Sequence, residues 1–193
     1  FNEHTLSIKL LKFSLTDQIA WMILPLLVGS MYLGCGLWVF RLRRLDTTGQ
    51  VFSTFTASTA IVTAVIFEIL TTSKLVGLWT FSLGMAGGTL IHFSLIFPEK
   101  IKIVRKYPFL GWLSYIPTVI FLIWAFPVFY NFSDPLSYVP PWRIGYVFLC
   151  TAVLFFIGMT IYRRFTSHSL VVRQQGQILL FGAIISFFPI AVW

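Results

Sequence analysis

Long, continuous runs of apolar residues dominate this chain, and short polar segments separate them. Six runs approach the roughly 20 residues that a helix needs to cross a hydrocarbon core of about 30 Å. Backbone groups in lipid must hydrogen-bond internally, and the runs lack the alternation of barrel strands, so each run is predicted to be a helix. The predicted fold class is all-α, a polytopic transmembrane bundle over residues 18–193 with about six spans: 19–40, 51–70, 75–97, 108–132, 143–162 and 174–193.

The segment before the first run follows a different pattern. Residues 5–15 alternate between apolar and polar positions, which is typical of a short strand. Because a lone strand is unstable, residues 1–17 are interpreted as the extracytoplasmic end of an upstream domain. An amphipathic lead-in on the outer leaflet is the alternative. The chain starts at Phe1 and ends at Trp193 inside an apolar run, so we expect a fragment whose sixth span is truncated.

Composition agrees with a membrane protein. Hydrophobic residues make up 58% of the chain, charged residues 10%, and the mean hydropathy is +0.87. A soluble domain is about a quarter charged. Cys35 and Cys150 lie inside apolar runs, so they are interpreted as packing residues rather than as a disulfide.

The positive charges predict an orientation. Ten of the 14 Lys and Arg residues lie in alternate loops, which must share one side of the membrane. By the positive-inside rule this side is cytoplasmic and the N-terminus is outside. The net charge of +8 is then explained by anionic headgroups and requires no nucleic acid. The ten residues are Arg41, Arg43, Arg44, Lys100, Lys102, Arg105, Lys106, Arg163, Arg164 and Arg173.

Two ionisable residues fall inside the runs. Glu68 lies near the outer end of the second, where it either has a structural role, pairing with Lys74 or Arg143, or belongs to an outward-facing ligand pocket. His92 lies in the third run, without Cys, Asp or Glu at helical spacing. A packed, hydrogen-bonded histidine is therefore favoured over a metal ligand, and neither a metal site nor a cofactor is predicted.

Small and aromatic residues predict helix contacts and membrane boundaries. Ser30 with Gly34, and Gly84 with Gly88, have the four-residue spacing that lets two helices approach closely, within or between chains. Tryptophans near the run ends are expected at the headgroup level. They are Trp38, Trp79, Trp112 and Trp142.

Two short motifs carry a resemblance. The third run ends in HFSLIFPE before a basic loop, and VRQQGQ leads into the sixth. With the opening WVFRLRRLDTTG, they resemble the multi-helix N-terminal membrane region of bacterial sensor histidine kinases and are similar to the competence-type quorum-sensing kinases. The motif residues are His92, Phe97, Pro98, Glu99, Arg173, Gln174 and Gln175.

The resemblance implies a location and a missing output. It implies the plasma membrane of a bacterium, an extracytoplasmic PDZ-like module before the bundle, and cytoplasmic kinase or other output domains after it. The phosphoacceptor histidine would then lie beyond this chain, and the parent chain would form a homodimer. No catalytic residue is predicted within these 193 residues.

The preferred hypothesis is a signal-input domain that responds to a peptide or a small hydrophobic molecule from the outer face. Its expected ligand-binding residues are Glu68, Asp134, Tyr138 and Arg143. A transporter or permease subunit is one alternative, although runs four and six offer few polar residues. A membrane-embedded lipid-modifying enzyme is another, for which His92 with Glu99 is the candidate pair.

Overall fold

The computed structural model describes residues 14–129, 134, 136–166 and 170–192, and all regular structure within these ranges is helical. The predicted all-α class is therefore confirmed for the described residues. A π-helical segment, Ile19–Ile23, joins α1 to α2. The helices are α1 (Leu15–Gln18), α2 (Leu24–Arg43), α3 (Thr47–Ala64), α4 (Ile66–Thr71), α5 (Val76–Ile96), α6 (Lys102–Lys106), α7 (Leu110–Leu113), α8 (Ile116–Phe129), α9 (Val139–Thr166) and α10 (Leu170–Val192).

Four helical segments are long and apolar enough to cross a membrane. They are Leu15–Arg43, Thr47–Thr71, Leu110–Phe129 and Val139–Thr166. Helices α5 and α10 occupy the positions predicted for the third and sixth spans, but they are not among these four. Four candidate spans are thus established, and the total of six stays a prediction.

Helix α5 is the centre of the bundle. It packs against α3, α8 and α9, while α2 packs against α3 and α10 packs against α9. Sixteen of its 21 residues are buried, and many of them are Gly, Ala, Ser or Thr. Small side chains on all sides allow several helices to approach one helix closely.

Two apolar clusters show how the helices alternate in direction. One contains Val51 of α3, Phe93 of α5 and Phe156 of α9. The other contains Ile69 of α4 and Trp79 of α5, with Trp142 of α9 packed against it. The start of α3 therefore lies beside the ends of α5 and α9. We call this the basic end, because the Arg41–Arg44 stretch, the α5–α7 connection and the end of α9 lie there; the other is the tryptophan end.

The contact between α2 and α3 uses different small residues from the predicted pair. Gly29 and Gly36 are buried, and a Cβ atom on Gly29 would lie 2.8 Å from the carbonyl oxygen of Ala60. A Cβ on Gly34 would meet no heavy atom within 4 Å, and Ser30 is exposed. Gly29 and Gly36 therefore form the contact within the chain. Packing of Ser30 and Gly34 against another chain stays a prediction.

The second predicted pair faces α8. Thr118 is 1% exposed, and its Oγ1 donates a hydrogen bond to the carbonyl oxygen of Gly84 at 3.0 Å. A Cβ on Gly88 would lie 2.5 Å from the same Thr118 Oγ1. Gly84 and Gly88 thus form a groove in α5 that receives the Thr118 side chain.

The segment before the bundle can be compared with its prediction only at its end. Residues 1–13 lie outside the described residues, and so does almost all of the 5–15 segment for which a strand or a lead-in was predicted. Ser14 Oγ accepts a hydrogen bond from the backbone N–H of Asp17 at 3.1 Å, and Leu15 is already helical. The first long helix therefore starts earlier than the predicted residue 19.

Replacing Gly29 by alanine should destabilise the fold, whereas the same change at Gly34 should not. Both changes remove a helical glycine, so they alter helix propensity equally. Only Gly29→Ala forces a Cβ against the Ala60 backbone, and overpacking of this kind costs about 1–3 kcal/mol. Unfolding of the two variants in mixed detergent micelles measures the difference. Equal stability would show that α2 does not pack on α3 through this face.

Candidate functional site

Glu68 closes the turn between α4 and α5. Its Oε1 accepts hydrogen bonds from the Thr72 hydroxyl and from the backbone N–H of Lys74, the latter at 2.7 Å. Its Oε2 accepts from the backbone N–H of Leu75 at 3.0 Å. The first N–H groups of a helix lack intrahelical partners, and a negative charge there is favourable. The Glu68 carboxylate thus stabilises the start of α5.

The charged residues predicted around a ligand lie at the tryptophan end but bond locally. Glu68 contacts Lys74 through its backbone rather than its ammonium group, and no ion pair joins it to Arg143 among the described residues. Asp134 accepts a hydrogen bond from the backbone N–H of Leu136 at 3.2 Å. Arg143 is exposed in the second turn of α9.

An aromatic cluster connects α5 to α9 at the tryptophan end. The ring centroids of Trp79 and Trp142 are 5.3 Å apart, and Tyr146 lies 5.8 Å from Trp79. Tyr138, one of the four predicted residues, contacts the Trp142 ring edge-on at 4.9 Å. Trp79 is 2% exposed and packed inside the bundle, and its headgroup-level position stays a prediction. We refer to Trp79, Tyr138, Trp142 and Tyr146 as the aromatic cluster.

The two indole groups of this cluster differ in their hydrogen bonds. Trp79 Nε1 donates to the carbonyl oxygen of Val62 at 3.1 Å. That carbonyl is in the last turn of α3, where carbonyl groups lack intrahelical partners. Trp142 Nε1 is buried and has no partner in the part of the chain that the structure describes, and the same holds for Thr80 Oγ1. An unpaired buried polar group costs about 1–3 kcal/mol, so an acceptor placed beside Trp142 Nε1 would recover this energy.

His92 is packed between α5 and α7–α8. It is 5% exposed, and its Nδ1 lies 3.3 Å from the hydroxyl of Tyr115. A Cβ on Gly111 would lie 2.5 Å from His92 Nε2, so the imidazole rests against the bare backbone of α7. No group of three His, Cys, Asp or Glu side chains that could hold a metal occurs among the described residues. The geometry is that of a packed histidine.

Arg163 binds the end of α5 at the basic end. It is 7% exposed, and its guanidinium donates to the carbonyl oxygens of Phe97 and of Leu95, the latter at 3.0 Å. The last carbonyl groups of a helix lack intrahelical partners, and a cation beside them is favourable. A single arginine of α9 therefore holds the C-terminus of α5 through two hydrogen bonds.

The remaining residues of the first motif surround this contact. The Phe97 ring stacks on Phe93 with centroids 5.0 Å apart, and Pro98 follows it directly. Glu99 forms an exposed ion pair with Arg105 at 2.7 Å. The Glu99 carboxylate is thus bonded to the basic loop rather than to His92.

The second motif lies on α10. This helix starts at Leu170, earlier than predicted, so the motif residues are helical rather than part of a loop. All three side chains are exposed, whereas Gly176 is buried near Thr160 of α9. The motif residues are Arg173, Gln174 and Gln175.

Arg163 is the residue whose role the sequence analysis missed, since it was counted only as a loop charge. Helical spacing carries the signal that distinguishes it from its neighbour Arg164. Phe156 and Thr160 are buried, and Arg163 continues the same face at the next turn. Arg164 lies on another face and is exposed.

A scan against protein-family models, a search of curated proteins and a search of solved structures found no match to this chain.

Removal of the buried guanidinium should destabilise the bundle, whereas removal of its neighbour should not. Arg163→Gln removes two charge-assisted hydrogen bonds to α5 carbonyls, each of which contributes about 1.5–3 kcal/mol. Arg164→Gln removes the same charge from an exposed position. We expect a free energy of unfolding at least about 2 kcal/mol lower for Arg163→Gln alone. Equal values for the two variants would rule out a structural contact at Arg163.

Loss of the Glu68 carboxylate should expose the start of α5. Glu68→Ala leaves the N–H groups of Lys74 and Leu75 without their acceptor. Hydrogen exchange at these amides should accelerate about 10- to 100-fold, since each bond to a charged group contributes about 1.5–3 kcal/mol. Exchange measured by mass spectrometry checks this, with Glu99→Ala as the control at the basic end. Unchanged exchange near residue 75 in Glu68→Ala would show that the carboxylate does not cap the helix.

Proposed function

We propose that this chain is the membrane-embedded signal-input domain of a bacterial sensor kinase. In this proposal it lies in the plasma membrane as a six-span bundle with its N-terminus outside. It detects a peptide or a small hydrophobic molecule at the tryptophan end and acts on a cytoplasmic output domain. The parent chain acts as a homodimer, as the resemblance of the two motifs implies.

The charge distribution supports the orientation. The stretch Arg41–Arg44, the Lys100–Lys106 connection and Arg163–Arg164 lie at one end of the bundle. Lys74 and Arg143 lie at the other. The positive-inside rule makes the basic end cytoplasmic. Helices α5 and α10 supply the third and sixth spans, because both match predicted apolar runs in position and length.

The unpaired indole N–H of Trp142 is the observation that carries the proposal. This N–H group lies inside the aromatic cluster. In the proposal, the ligand has an apolar surface that packs on the aromatic rings and one hydrogen-bond acceptor that pairs with the N–H group. Tyr138 contacts the same ring, and the exposed Arg143 follows Trp142 directly in the chain. In this proposal Asp134 and Glu68, which lie at the same end of the bundle, complete the site.

A route from this end to the cytoplasm runs through two helices. Trp79 and Trp142 connect α5 to α9 at the tryptophan end, and Arg163 connects the same two helices at the basic end. A ligand that favours a different spacing of the two indoles would shift the populations of two α5–α9 arrangements. Helix α9 is followed by α10, so the change would reach whatever follows α10.

No observation specifically favours the two alternative functions, a permease subunit and a lipid-modifying enzyme. A lipid-modifying site built on His92 and Glu99 is not favoured, because Glu99 bonds to Arg105 and His92 contacts Tyr115. A permease would move a substrate across the membrane, so uptake by the full-length protein would identify it. A signal-input domain would change the activity of its output domain without net transport.

Replacing Trp142 by phenylalanine should reduce the response of the full-length protein to its signal. The change keeps an aromatic ring and removes the N–H donor. We expect the concentration for half-maximal autophosphorylation to rise about tenfold, the effect of losing one hydrogen bond. The stimulus is conditioned medium of the source cells, fractionated by hydrophobicity, applied to proteoliposomes with ATP.

Trp124→Phe is the matched control, because Trp124 is 42% exposed on α8, away from the cluster. It should respond like the unmodified protein. An identical response of both variants would remove Trp142 from the site. A parent protein without kinase or other signalling activity would overturn the proposed function as a whole.

A further inference from the structure

The outer surface of α2 and α3 carries a groove that none of the other described helices lines. It has a volume of about 340 Å³ and runs along the α2–α3 contact from Leu33 to Phe40. Leu33, Leu37 and Phe40 are 45%, 61% and 45% exposed, and Ala57 lines the opposite wall. The large apolar surface of the groove thus faces away from the bundle.

The polar side chains of the groove are already bonded to the backbone. Ser53 Oγ donates to the carbonyl oxygens of Gly36 and Gly49, at 2.9 and 2.8 Å. Thr54 Oγ1 donates to the carbonyl oxygen of Gln50 at 2.9 Å. Both hydroxyl groups already donate hydrogen bonds within the protein, so the groove offers mainly apolar contacts to an occupant. Its occupant must be apolar along this length.

A cluster of arginines lies next to the groove at the basic end. A second concavity of about 450 Å³ is lined by Arg41, Arg43, Arg44 and Asp46. Arg43 lies 3.8 Å from Asp46, whereas Arg41 and Arg44 have no acidic partner in the described ranges. The two concavities are neighbours, because Phe40 of the groove precedes Arg41 in the chain and the Gln50 side chain of the groove donates to the carbonyl oxygen of Arg44 at 2.8 Å.

We propose that this surface binds one anionic phospholipid of the cytoplasmic leaflet, with an acyl chain in the α2–α3 groove and its phosphate among Arg41, Arg43 and Arg44. Guanidinium groups bind phosphate oxygens in pairs, which favours arginine over lysine for this contact. The seven helical steps from Leu33 to Phe40 rise about 10 Å, which is less than the roughly 15 Å thickness of one leaflet of the hydrocarbon core. The chain would thus start at the headgroup level and leave the groove inside the leaflet.

The positive charge of the arginine cluster also favours a lipid over a second copy of the protein as the occupant of the groove. Two copies inserted with the same orientation would bring both arginine clusters to one level of the membrane. Like charges at such a contact repel each other, whereas an anionic headgroup neutralises them. The lipid is therefore the occupant that the groove and the arginines favour together. This inference requires membrane insertion with the basic end at the cytoplasmic leaflet, and it does not require the sensor role.

The test measures the lipids retained by the full-length protein. The detergent-solubilised protein is titrated with phosphatidylglycerol and, separately, with phosphatidylcholine that has the same acyl chains. Native mass spectrometry measures the lipid that is bound. We expect phosphatidylglycerol to bind at least about tenfold more tightly. The double variant Arg41→Gln/Arg44→Gln should lose most of this preference, because each arginine is expected to raise the affinity for phosphatidylglycerol about fivefold. The matched control Lys100→Gln/Lys102→Gln removes the same charge from exposed positions at the start of the α5–α7 connection and should retain the preference.

A second pair of variants tests the acyl chain. Ala57→Leu fills the groove and should weaken both lipids, whereas Ala20→Leu, at an exposed position near the other end of the first long helix, should weaken neither. Leu37→Ala removes apolar surface from the α2 wall of the groove at an exposed position, so the core stays intact. This variant therefore tests binding of the acyl chain even if Ala57→Leu does not fold. Weaker binding is again expected.

Three outcomes would overturn the proposal. Equal affinity for the two lipids would remove the headgroup site. Full competition by inorganic phosphate, with no effect of Ala57→Leu or Leu37→Ala, would leave only an anion site. A change in oligomeric state with Ala57→Leu, at unchanged lipid binding, would assign the groove to a second copy.

Discussion

The close approach of neighbouring helices to α5 is the constraint on which the rest of this structure depends. Lipid tails are as apolar as leucine, so the hydrophobic effect does not hold membrane helices together. Their association relies on close packing and on hydrogen bonds between helices. Helix α5 meets this requirement with glycine: a Cβ on Gly87 would lie 2.5 Å from the ring of Phe148, and one on Gly88 would collide with Thr118. Larger residues at these positions would force α8 and α9 away.

Several of the hydrogen bonds between helices end on backbone carbonyl groups. Thr118 donates to Gly84, Trp79 donates to Val62, and Arg163 donates to Leu95 and Phe97. The last three acceptors lie in or just after the final turn of a helix, where carbonyl groups are free of intrahelical bonds. Helix ends and interruptions therefore supply acceptors through which one helix can bind another. The break after Ala64 and the end of α5 are two such places.

The sequence was sufficient to predict the class of fold and the approximate position of every long helix, because continuous apolar runs identify helices directly. It was insufficient to predict which face of each helix is buried. In lipid both faces are apolar, so the hydrophobic periodicity that marks the core of a soluble protein is weak. Gly29 and Gly34 therefore look alike in sequence, although only Gly29 contacts α3. Trp79 likewise resembles an interfacial tryptophan until Ile69 and Trp142 are seen to cover it.

The candidate site shows the same limit for polar residues. Glu68 stands out in the sequence because a carboxylate in an apolar run is unusual, and the structure explains the carboxylate by the three hydrogen bonds that it accepts at the α4–α5 turn. Trp142 drew attention only as a boundary residue, because whether an indole N–H finds an acceptor depends on tertiary contacts. The bundle thus divides into two regions. Helices α5 and α9 are connected at both ends, as the proposed transmission of a signal requires. Helix α2 packs on the bundle mainly through α3 and leaves an apolar face uncovered by the other described helices.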